Sequence, residues 1–243
     1  MTNPVLLERR DEVAVVTLNR PERRNGVTGA MCAELLRVLT AVAATDARVV
    51  VLRGAGADFS VGADLGASQD GDGPRTFDSL GPVFHSATLL HSMPQVTIAA
   101  IDGGCAGAAL GWACACDLRL ASDRARFNTA FLSAGVSGDM GLAWSLPRIV
   151  GAGRARELLF LPEKFTAADA ERIGLVSAVH PAATLHDAAM AIADRLTGHR
   201  ALALRTLKAN LVSAETAELS EYVELETARH LHVSATGIVR SRP

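Results

Sequence analysis

The chain has 243 residues, of which 49% are hydrophobic and 4% aromatic, and its formal net charge is −2. With this charge and no basic block, nucleic acid is not expected as a partner. The longest weakly polar run, 103–116, is rich in glycine. It is shorter than the roughly 18 apolar residues that indicate a spanning helix, so no membrane association is expected.

The N-terminus and the cysteines predict a cytoplasmic protein without a metal site. The first residues, MTNPVLLERRDE, lack the basic-then-apolar order of a signal peptide. The four cysteines form no CxxC pair, and no HExxH motif occurs. We therefore expect reduced thiols in a cytoplasm and no bound metal.

Strand patterns dominate the first part of the chain, and two helix starts are readable from capping residues. Thr28 can cap a helix whose apolar residues follow helical spacing, and Thr166 with Asp169 resembles a capping box. Apolar and β-branched runs predict strands at 5–10, 13–19, 48–54 and 96–101. Between the last two strands, the glycine-rich polar stretch 66–75 predicts a flexible loop, and a helix is predicted at 76–92.

Helical patterns dominate the part of the chain after residue 140. A short strand is predicted at 175–180, and three helical stretches fill 184–236. The order of elements predicts an α/β protein, with a core domain over 1–195 and a helical C-terminal part over 196–243.

Two turns follow buried strands and run towards helices, in VVVLRGAGADFSVGADL and VTIAAIDGGCAGAALG. Such turns leave backbone N–H groups free, and two of them side by side can bind one oxygen as an oxyanion hole. Gly62-Ala63 and Gly107-Ala108 are small enough for a carbonyl group to approach the backbone. The alternative is that these residues only allow tight helix–sheet packing. A dinucleotide site is disfavoured, because the glycines of the second turn are spaced GxxGxxxG rather than GxGxxG.

Several stretches, in the same order along nearly the whole chain, resemble the enoyl-CoA hydratase/isomerase family, which has the crotonase fold. They are NRPERRNGV (19–27), DFSVGADL (58–65), VTIAAIDG (96–103), the small-residue run ending in CD (107–117), SLPRIVGAGRARELL (145–159) and ADAERIGLVSAV (168–179). The resemblance implies a crotonase-like ββα superhelix with a C-terminal helical region, assembled as a homotrimer or a dimer of trimers. It also implies an acyl-coenzyme A thioester as substrate, with coenzyme A as part of that substrate and no separate cofactor.

The resemblance also assigns expected roles to individual residues. The oxyanion-hole amides would be those of Ala63 and Ala108. The predicted contacts to substrate are Arg23, Arg24 and Gly26 at the adenine and ribose, Ser60, Asp64 and Leu65 along the thioester and pantetheine path, and Gly104, Ala106 and Phe131 elsewhere in the pocket.

The chain departs from the family pattern at both catalytic glutamates. Hydratases of the family use two glutamates, and the matching positions here are Gly111 and Phe131, neither of which can transfer a proton. Ala108-Ala109 stands where two glycines are common, which predicts a slightly tighter pocket. A further helix usually follows the point where this sequence ends in TGIVRSRP, so the C-terminal part is short for the family and a more open acyl end is expected.

Asp139 is the remaining carboxylate candidate. It lies eight residues after Phe131, and in dienoyl-CoA isomerases, the chlorobenzoyl-CoA dehalogenase and naphthoate synthases an aspartate at the matching place takes part in chemistry. An apolar pocket would raise its pKa, as suits a general base near neutral pH. The alternative is that Asp139 is solvated, or caps or leads a helix that begins near Met140.

Three functions follow as hypotheses. The first is an enzyme that stabilises a thioester enolate and uses Asp139 in isomerase-type or other one-carboxylate chemistry instead of classical hydration. The second is a catalytically silent acyl-CoA-binding protein, which the residues at 111 and 131 suggest. The third is a scaffold that only oligomerises, and this hypothesis would leave both turns without a purpose.

Overall fold

The computed structural model of the protein describes residues 3–66 and 77–237. The loop predicted at 66–75 therefore lies, except for Gly66, outside the described residues. Within them the strands are β1 (Val5–Arg10), β2 (Val13–Leu18), β3 (Val49–Gly54), β4 (Val96–Ile101), β5 (Gly104–Ala106), β6 (Leu118–Ser122), β7 (Arg126–Asn128), β8 (Phe165–Thr166) and β9 (Ala178–His180).

The helices follow the predicted pattern closely, and the last three occupy the predicted C-terminal stretches. They are α1 (Gly29–Ala43), α2 (Phe77–Ser92), α3 (Ala108–Ala115), α4 (Leu142–Val150), α5 (Ala152–Phe160), α6 (Ala167–Arg172), α7 (Leu185–Thr197), α8 (Ala201–Ala214) and α9 (Leu219–Ala235). The capping predictions are confirmed, since the Thr28 side chain accepts from the Met31 N–H and Thr166 and Asp169 form a reciprocal capping box.

A six-stranded sheet in the order β1-β2-β3-β4-β6-β9 is the centre of the fold. Strands β1 and β2 form an antiparallel hairpin, and each later neighbour in this order pairs in parallel. A smaller sheet, β5-β7-β8, lies beside the second glycine turn. The parallel order brings the turns after β3 and β4 to the same edge of the sheet, which is where open α/β sheets bind ligands.

Both faces of the large sheet are covered. One apolar cluster joins the sheet to α1, α2, α3 and α4, and a second joins the opposite face to α7. Strands β2 and β4 are consequently buried along their whole length, which explains their continuous apolar runs. The α/β class is confirmed. The division between 195 and 196 stays a prediction.

One local expectation is wrong. The strand predicted at 175–180 forms only over Ala178–His180, where it pairs with β6 over three residues. Trp144 is 42% exposed, and the Arg148 guanidinium lies over its ring in a cation–π contact.

Candidate active site

The two glycine turns lie side by side in a shared register. The Ser60 N–H donates to the Gly104 carbonyl at 2.9 Å, and the Ala106 N–H donates to the Ser60 carbonyl at 3.1 Å. These bonds form a parallel bridge between Ser60 and Cys105. Continued along both turns, the same offset relates Gly62 to Gly107, whose backbones are in contact, and Ala63 and Ala108 follow them directly.

Gly62 and Gly107 form the closest contact between the turns. Both have positive φ, +85° and +51°, a region that favours glycine. A β-carbon at Gly62 would lie 2.8 Å from the Ala106 carbonyl oxygen and 3.7 Å from the Gly107 α-carbon. Because any side chain at Gly62 would separate the turns, glycine is required there for the backbones to meet.

The N–H groups of Ala63 and Ala108 have no hydrogen-bond acceptor among the residues that the structure describes. Val27 forms a parallel β-bridge with Ala63 through the two neighbours of Ala63. The Val27 N–H donates to the Gly62 carbonyl, and the Val27 carbonyl accepts from the Asp64 N–H. The N–H of Ala63 itself takes no part in this bridge. Ala108 is the first residue of α3, and the N–H groups of a first helical turn have no partner within the helix. The helix dipole adds partial positive charge at this end.

Met140 occupies the space beside Gly111, the first of the two positions that the sequence resemblance matches to a glutamate. A β-carbon at Gly111 would lie 2.5 Å from the Met140 β-carbon. Met140 is buried and has a φ of +47°, a conformation that disfavours residues other than glycine. The backbone therefore leaves no room for a side chain at this position.

Phe131, at the second position that the resemblance matches to a glutamate, is also buried. A β-carbon at Gly107 would lie 3.8 Å from its ring, and one at Gly138 would lie 3.7 Å from it. The ring therefore packs between the second turn and the segment that carries Asp139, and it makes this part of the site apolar.

Asp139 is a partly buried carboxylate without the capping role that the sequence allowed. Its Oδ1 atom is buried and has no hydrogen-bond partner within the described part of the chain. Helix α4 begins at Leu142 with Gly141 as N-cap and has no side-chain cap, so the capping interpretation is wrong. Burial raises the pKa of Asp139 to about 6. The pKa of the Cys32 thiol is raised to about 12, chiefly by burial and then by the charge of Asp139. Because Cys32 is on α1, the Asp139 carboxyl group lies near this helix.

The arginines expected at the nucleotide end are held by carboxylates. Arg23 and Arg20 both pair with Asp64 at 2.9 Å, and hydrogen bonding, chiefly from Arg23, lowers the pKa of Asp64 to about 2. Arg24 pairs with Asp58 through two N–H groups, at 2.8 and 3.0 Å.

The remaining predicted contacts lie near the same turns. Ser60 is buried and its Oγ accepts from the Gly62 N–H at 3.3 Å, whereas Leu65 is 76% exposed. A β-carbon at Gly26 would lie 3.0 Å from the Asp64 β-carbon. Gly104 and Ala106 form β5 against Ser60. The structure thus brings these residues together, and their contacts with a substrate stay predictions.

The sequence reasoning missed Asp58, Arg20 and Met140. Asp58 carried a readable signal, because a charged residue at the start of a turn of small and apolar residues is the pattern that singled out Asp139. Met140 carried none, since its contact with Gly111 depends on how α3 and the segment before α4 pack.

Two general properties can be stated for residues 3–66 and 77–237. No group of three or more His, Cys, Asp or Glu residues there could hold a metal ion. No helix in these segments has both the length and the apolar character that crossing a membrane requires.

Comparison with known proteins identifies the family. The sequence model of the family described as "Enoyl-CoA hydratase/isomerase" matches residues 8–240. A probable enoyl-CoA hydratase of Mycobacterium tuberculosis is 36% identical over 242 residues, which cover 94% of this chain and 84% of the relative.

Solved structures agree with this match. A probable enoyl-CoA hydratase/isomerase from Mycobacterium abscessus superposes with a TM-score of 0.87 and is 32% identical, covering 96% of this chain and 90% of the other. A candidate enoyl-CoA hydratase from Thermobifida fusca, solved in complex with CoA, has a TM-score of 0.89 and is 32% identical, covering 96% and 94%. The chain therefore belongs to the enoyl-CoA hydratase/isomerase family and has its crotonase fold, as the sequence motifs predicted.

Proposed function

We propose that the protein is an enzyme that binds an acyl-CoA thioester and shifts a carbon–carbon double bond within its acyl group. Membership of the family and the CoA complex of the Thermobifida fusca relative support the substrate class. The observation that carries the proposal is a pair of N–H groups, of Ala63 and Ala108, that have no acceptor within the described segments and lie on two turns that share one register.

In this proposal the two amides bind the thioester oxygen. When a proton leaves the carbon chain, negative charge moves onto that oxygen, and donors that point at it stabilise the enolate more than the ground state. Gly62 and Gly107 let the thioester approach the backbone without meeting a β-carbon. The positive end of α3 adds to the stabilisation.

Asp139 carries the proton in the proposed reaction. Its carboxylate removes a proton from one carbon, and the electron pair of that C–H bond delocalises onto the thioester oxygen as an enolate. The same carboxyl group then returns the proton to another carbon of the conjugated chain, and the double bond moves with no net change in atoms or charge. A pKa of about 6 suits both halves of this transfer near neutral pH.

Classical hydration fits the site poorly. It needs a second group to orient and deprotonate water, and the two positions where the family places its glutamates hold Gly111 and Phe131. Met140 fills the space beside Gly111, and the Phe131 ring is apolar and buried. These contacts leave Asp139 as the carboxylate on which the proposal depends.

The test compares Ala108→Pro with Ala108→Ser on a pair of positional isomers of one enoyl-CoA. Proline is tolerated at the first position of a helix but lacks the N–H group, whereas serine retains it. We expect the wild type to interconvert the isomers without adding the mass of water, the proline variant to lose about 10²- to 10³-fold in kcat, and the serine variant to stay close to wild type. A main product heavier by one water, or an unchanged kcat in the proline variant, would overturn the proposal.

A spectroscopic measurement on the wild type covers the case in which the proline variant does not fold. Two hydrogen bonds to the thioester oxygen weaken its C=O bond, so the carbonyl stretch of bound acyl-CoA should move to lower frequency. An unshifted carbonyl would count against the proposed hole.

A second candidate, a silent acyl-CoA-binding protein, is favoured by the same two replaced positions. It predicts tight binding of acyl-CoA in calorimetry and no turnover of any thioester, with Asp139→Asn leaving binding unchanged. Failure to bind acyl-CoA would exclude both candidates.

We further propose assembly as a homotrimer or dimer of trimers in the cytoplasm, with coenzyme A entering as part of the substrate and no separate cofactor. Exposed leucines on the two C-terminal helices support assembly, namely Leu207 and Leu211 on α8 and Leu219 and Leu231 on α9. Burying them against another copy would remove apolar surface from water. Light scattering of the purified chain measures the mass that decides this.

A further inference from the structure

Three segments of the chain meet at the side chain of Asp58. It lies at the start of the first glycine turn, and its Oδ1 accepts from the Gly104 N–H of the second turn at 2.6 Å. Arg24, from the segment before α1, donates to both carboxylate oxygens. The Asp58 backbone carbonyl accepts from the Asn25 side chain at 2.7 Å. The carboxylate is 11% exposed, so little water competes with these bonds.

The bond to Gly104 adjoins the contacts that set the register of the two turns. Gly104 also accepts, through its carbonyl, from the Ser60 N–H, and the next bond joins Ala106 to Ser60. The N–H and the C=O of Gly104 are thus both held by the first turn. A sliding movement of one turn past the other would have to break the Asp58 bond as well as the backbone bonds.

Around this bond the backbones approach too closely for side chains to separate them. A β-carbon at Gly103 would lie 2.0 Å from the Ala57 carbonyl oxygen and 2.8 Å from Asp58 Oδ1. The position of the second turn therefore follows the position of the Asp58 carboxylate directly. Ala108 lies only four residues beyond Gly104, in a packed segment. A displacement of a few tenths of an ångström at Asp58 would therefore displace Ala108 as well.

We propose that Asp58 is a positioning residue that fixes the Ala63 and Ala108 amides relative to one another, and this inference rests on the proposed function. Asp58 contacts no reacting atom in this assignment. Its carboxylate acts as a clamp, because an ionised acceptor bound by a backbone N–H and a bidentate arginine is held more firmly than a neutral one.

The electrostatics favour an ionised clamp. The hydrogen bonds from Arg24, and then the Gly104 N–H, lower the pKa of Asp58 against the opposing effect of burial. Arg124 is the other charged group that acts on this carboxylate, and it is itself paired with Asp102. Asp58 therefore stays charged over the pH range in which Asp139 is tested as a base.

The experiment compares Asp58→Asn with Asp102→Asn. Asparagine has the same shape but loses the ionised acceptor and presents an amide group to Arg24. Asp102 offers a control, because it pairs with Arg124 and its carboxylate accepts from the N–H of its neighbour Gly103, whereas the Gly104 N–H donates to Asp58. Both variants lose one arginine–carboxylate pair, so loss of ion pairing alone should affect them alike.

We expect Asp58→Asn to lower kcat by about 10- to 100-fold, since small misplacements of catalytic groups have effects of this size. The carbonyl stretch of bound acyl-CoA should move back towards its solution frequency. Asp102→Asn should retain both the kcat and the carbonyl shift. A purely structural role for Asp58 would lower the melting temperature without moving the carbonyl frequency.

The outcomes separate this inference from the function on which it rests. If the wild type shows no carbonyl shift, the oxyanion hole itself is wrong. If the wild type shows the shift and Asp58→Asn keeps both the shift and the kcat, the hole stands and the positioning role of Asp58 is wrong. If Asp58→Asn does not fold, Arg24→Gln replaces it as the test. This variant keeps the bond between the Asp58 carboxylate and the Gly104 N–H but removes the bidentate arginine, so it should reduce the carbonyl shift. A full carbonyl shift in Arg24→Gln would overturn the inference.

Discussion

Two carboxylates near α3 have opposite surroundings. Asp117 follows the end of this helix, and its Oδ2 atom accepts from the Thr97 N–H at 2.7 Å, from the Thr97 hydroxyl at 3.0 Å and from the Lys208 ammonium at 2.8 Å. Asp139 precedes Met140, which packs against the same helix at Gly111, and its Oδ1 atom has no partner within the described residues. The Oδ2 atom of Asp117 is bound by three donors, whereas the Oδ1 atom of the partly buried Asp139 has no donor within the described residues.

The difference separates a structural role from a functional one. A satisfied carboxylate joins segments of the fold, and here it connects β4 to α8 through Lys208, which also donates to the Leu90 and Gln95 carbonyls. An unsatisfied carboxylate destabilises the folded state, and such groups persist where their chemistry is needed. The comparison therefore predicts that loss of the Asp139 carboxylate lowers activity rather than stability, whereas loss of the Asp117 carboxylate lowers stability more than activity.

The largest expected effect is on turnover in Asp139→Asn. If this carboxylate carries the proton, kcat should fall by about 10²- to 10⁴-fold. In the wild type, kcat should rise with pH through the pKa of about 6 as the carboxylate ionises. Asp117→Asn is the matched control and should retain the pH dependence. An Asp139→Asn enzyme with wild-type kcat would remove the basis of the comparison.

The same variant should be more stable than the wild type at neutral pH. The pKa of Asp139 in the folded state, about 6, is above its ordinary value of 3.8, so the folded protein binds more protons than the unfolded chain between these values. The resulting stability is present below pH 3.8 and is lost as the pH rises through about 6. A gain in melting temperature for Asp139→Asn at pH 8 that disappears at pH 4 would confirm this, and would show that the loss of kcat does not come from unfolding.

The next largest effect is on stability in Lys208→Met. The Lys208 side chain is 3% exposed and that of Asp117 is 26% exposed, and removing one partner of a largely buried pair leaves the other charge uncompensated, at a cost of up to about 3–5 kcal/mol in the free energy of unfolding. Urea unfolding followed by circular dichroism measures this. Arg37→Met, which breaks an exposed pair with Glu34 on α1, is the control and should cost less than about 1 kcal/mol. Equal losses in the two variants would contradict a structural role for the Asp117 pair.

The smallest expected effect concerns the packing that surrounds Asp139. Gly111→Glu would place a β-carbon 2.5 Å from that of Met140, and overpacking of this kind costs about 1–3 kcal/mol. Adding Met140→Gly should restore part of the lost stability, because glycine accepts the positive φ at 140 and removes the clash. A double-mutant cycle in urea checks the coupling, and additive losses would show that the two residues do not compete for space.

The site was predicted unevenly from the sequence. The two turns were readable because glycine and alanine after β-branched runs restrict the local backbone whatever surrounds it. The replacement of both family glutamates, at Gly111 and Phe131, stays a prediction from the sequence resemblance. The clamp at Asp58 was not identified, because its partners Arg24 and Gly104 lie 34 and 46 residues away along the chain. Whether Asp139 caps a helix was left open, because the sequence did not show that α4 begins only at Leu142.

The sequence by itself determined the first strands, the capped starts of α1 and α6 and the family, because β-branched runs, capping residues and ordered motifs act through neighbours in the chain. Only the tertiary structure decided which carboxylate is satisfied and which is not. Asp117 finds Lys208 across 91 residues, whereas no partner folds onto Asp139 Oδ1 in the described segments. Burial and hydrogen bonding depend on which distant segments meet, and these contacts are what raise the pKa of one aspartate and bind the other into the framework of the fold.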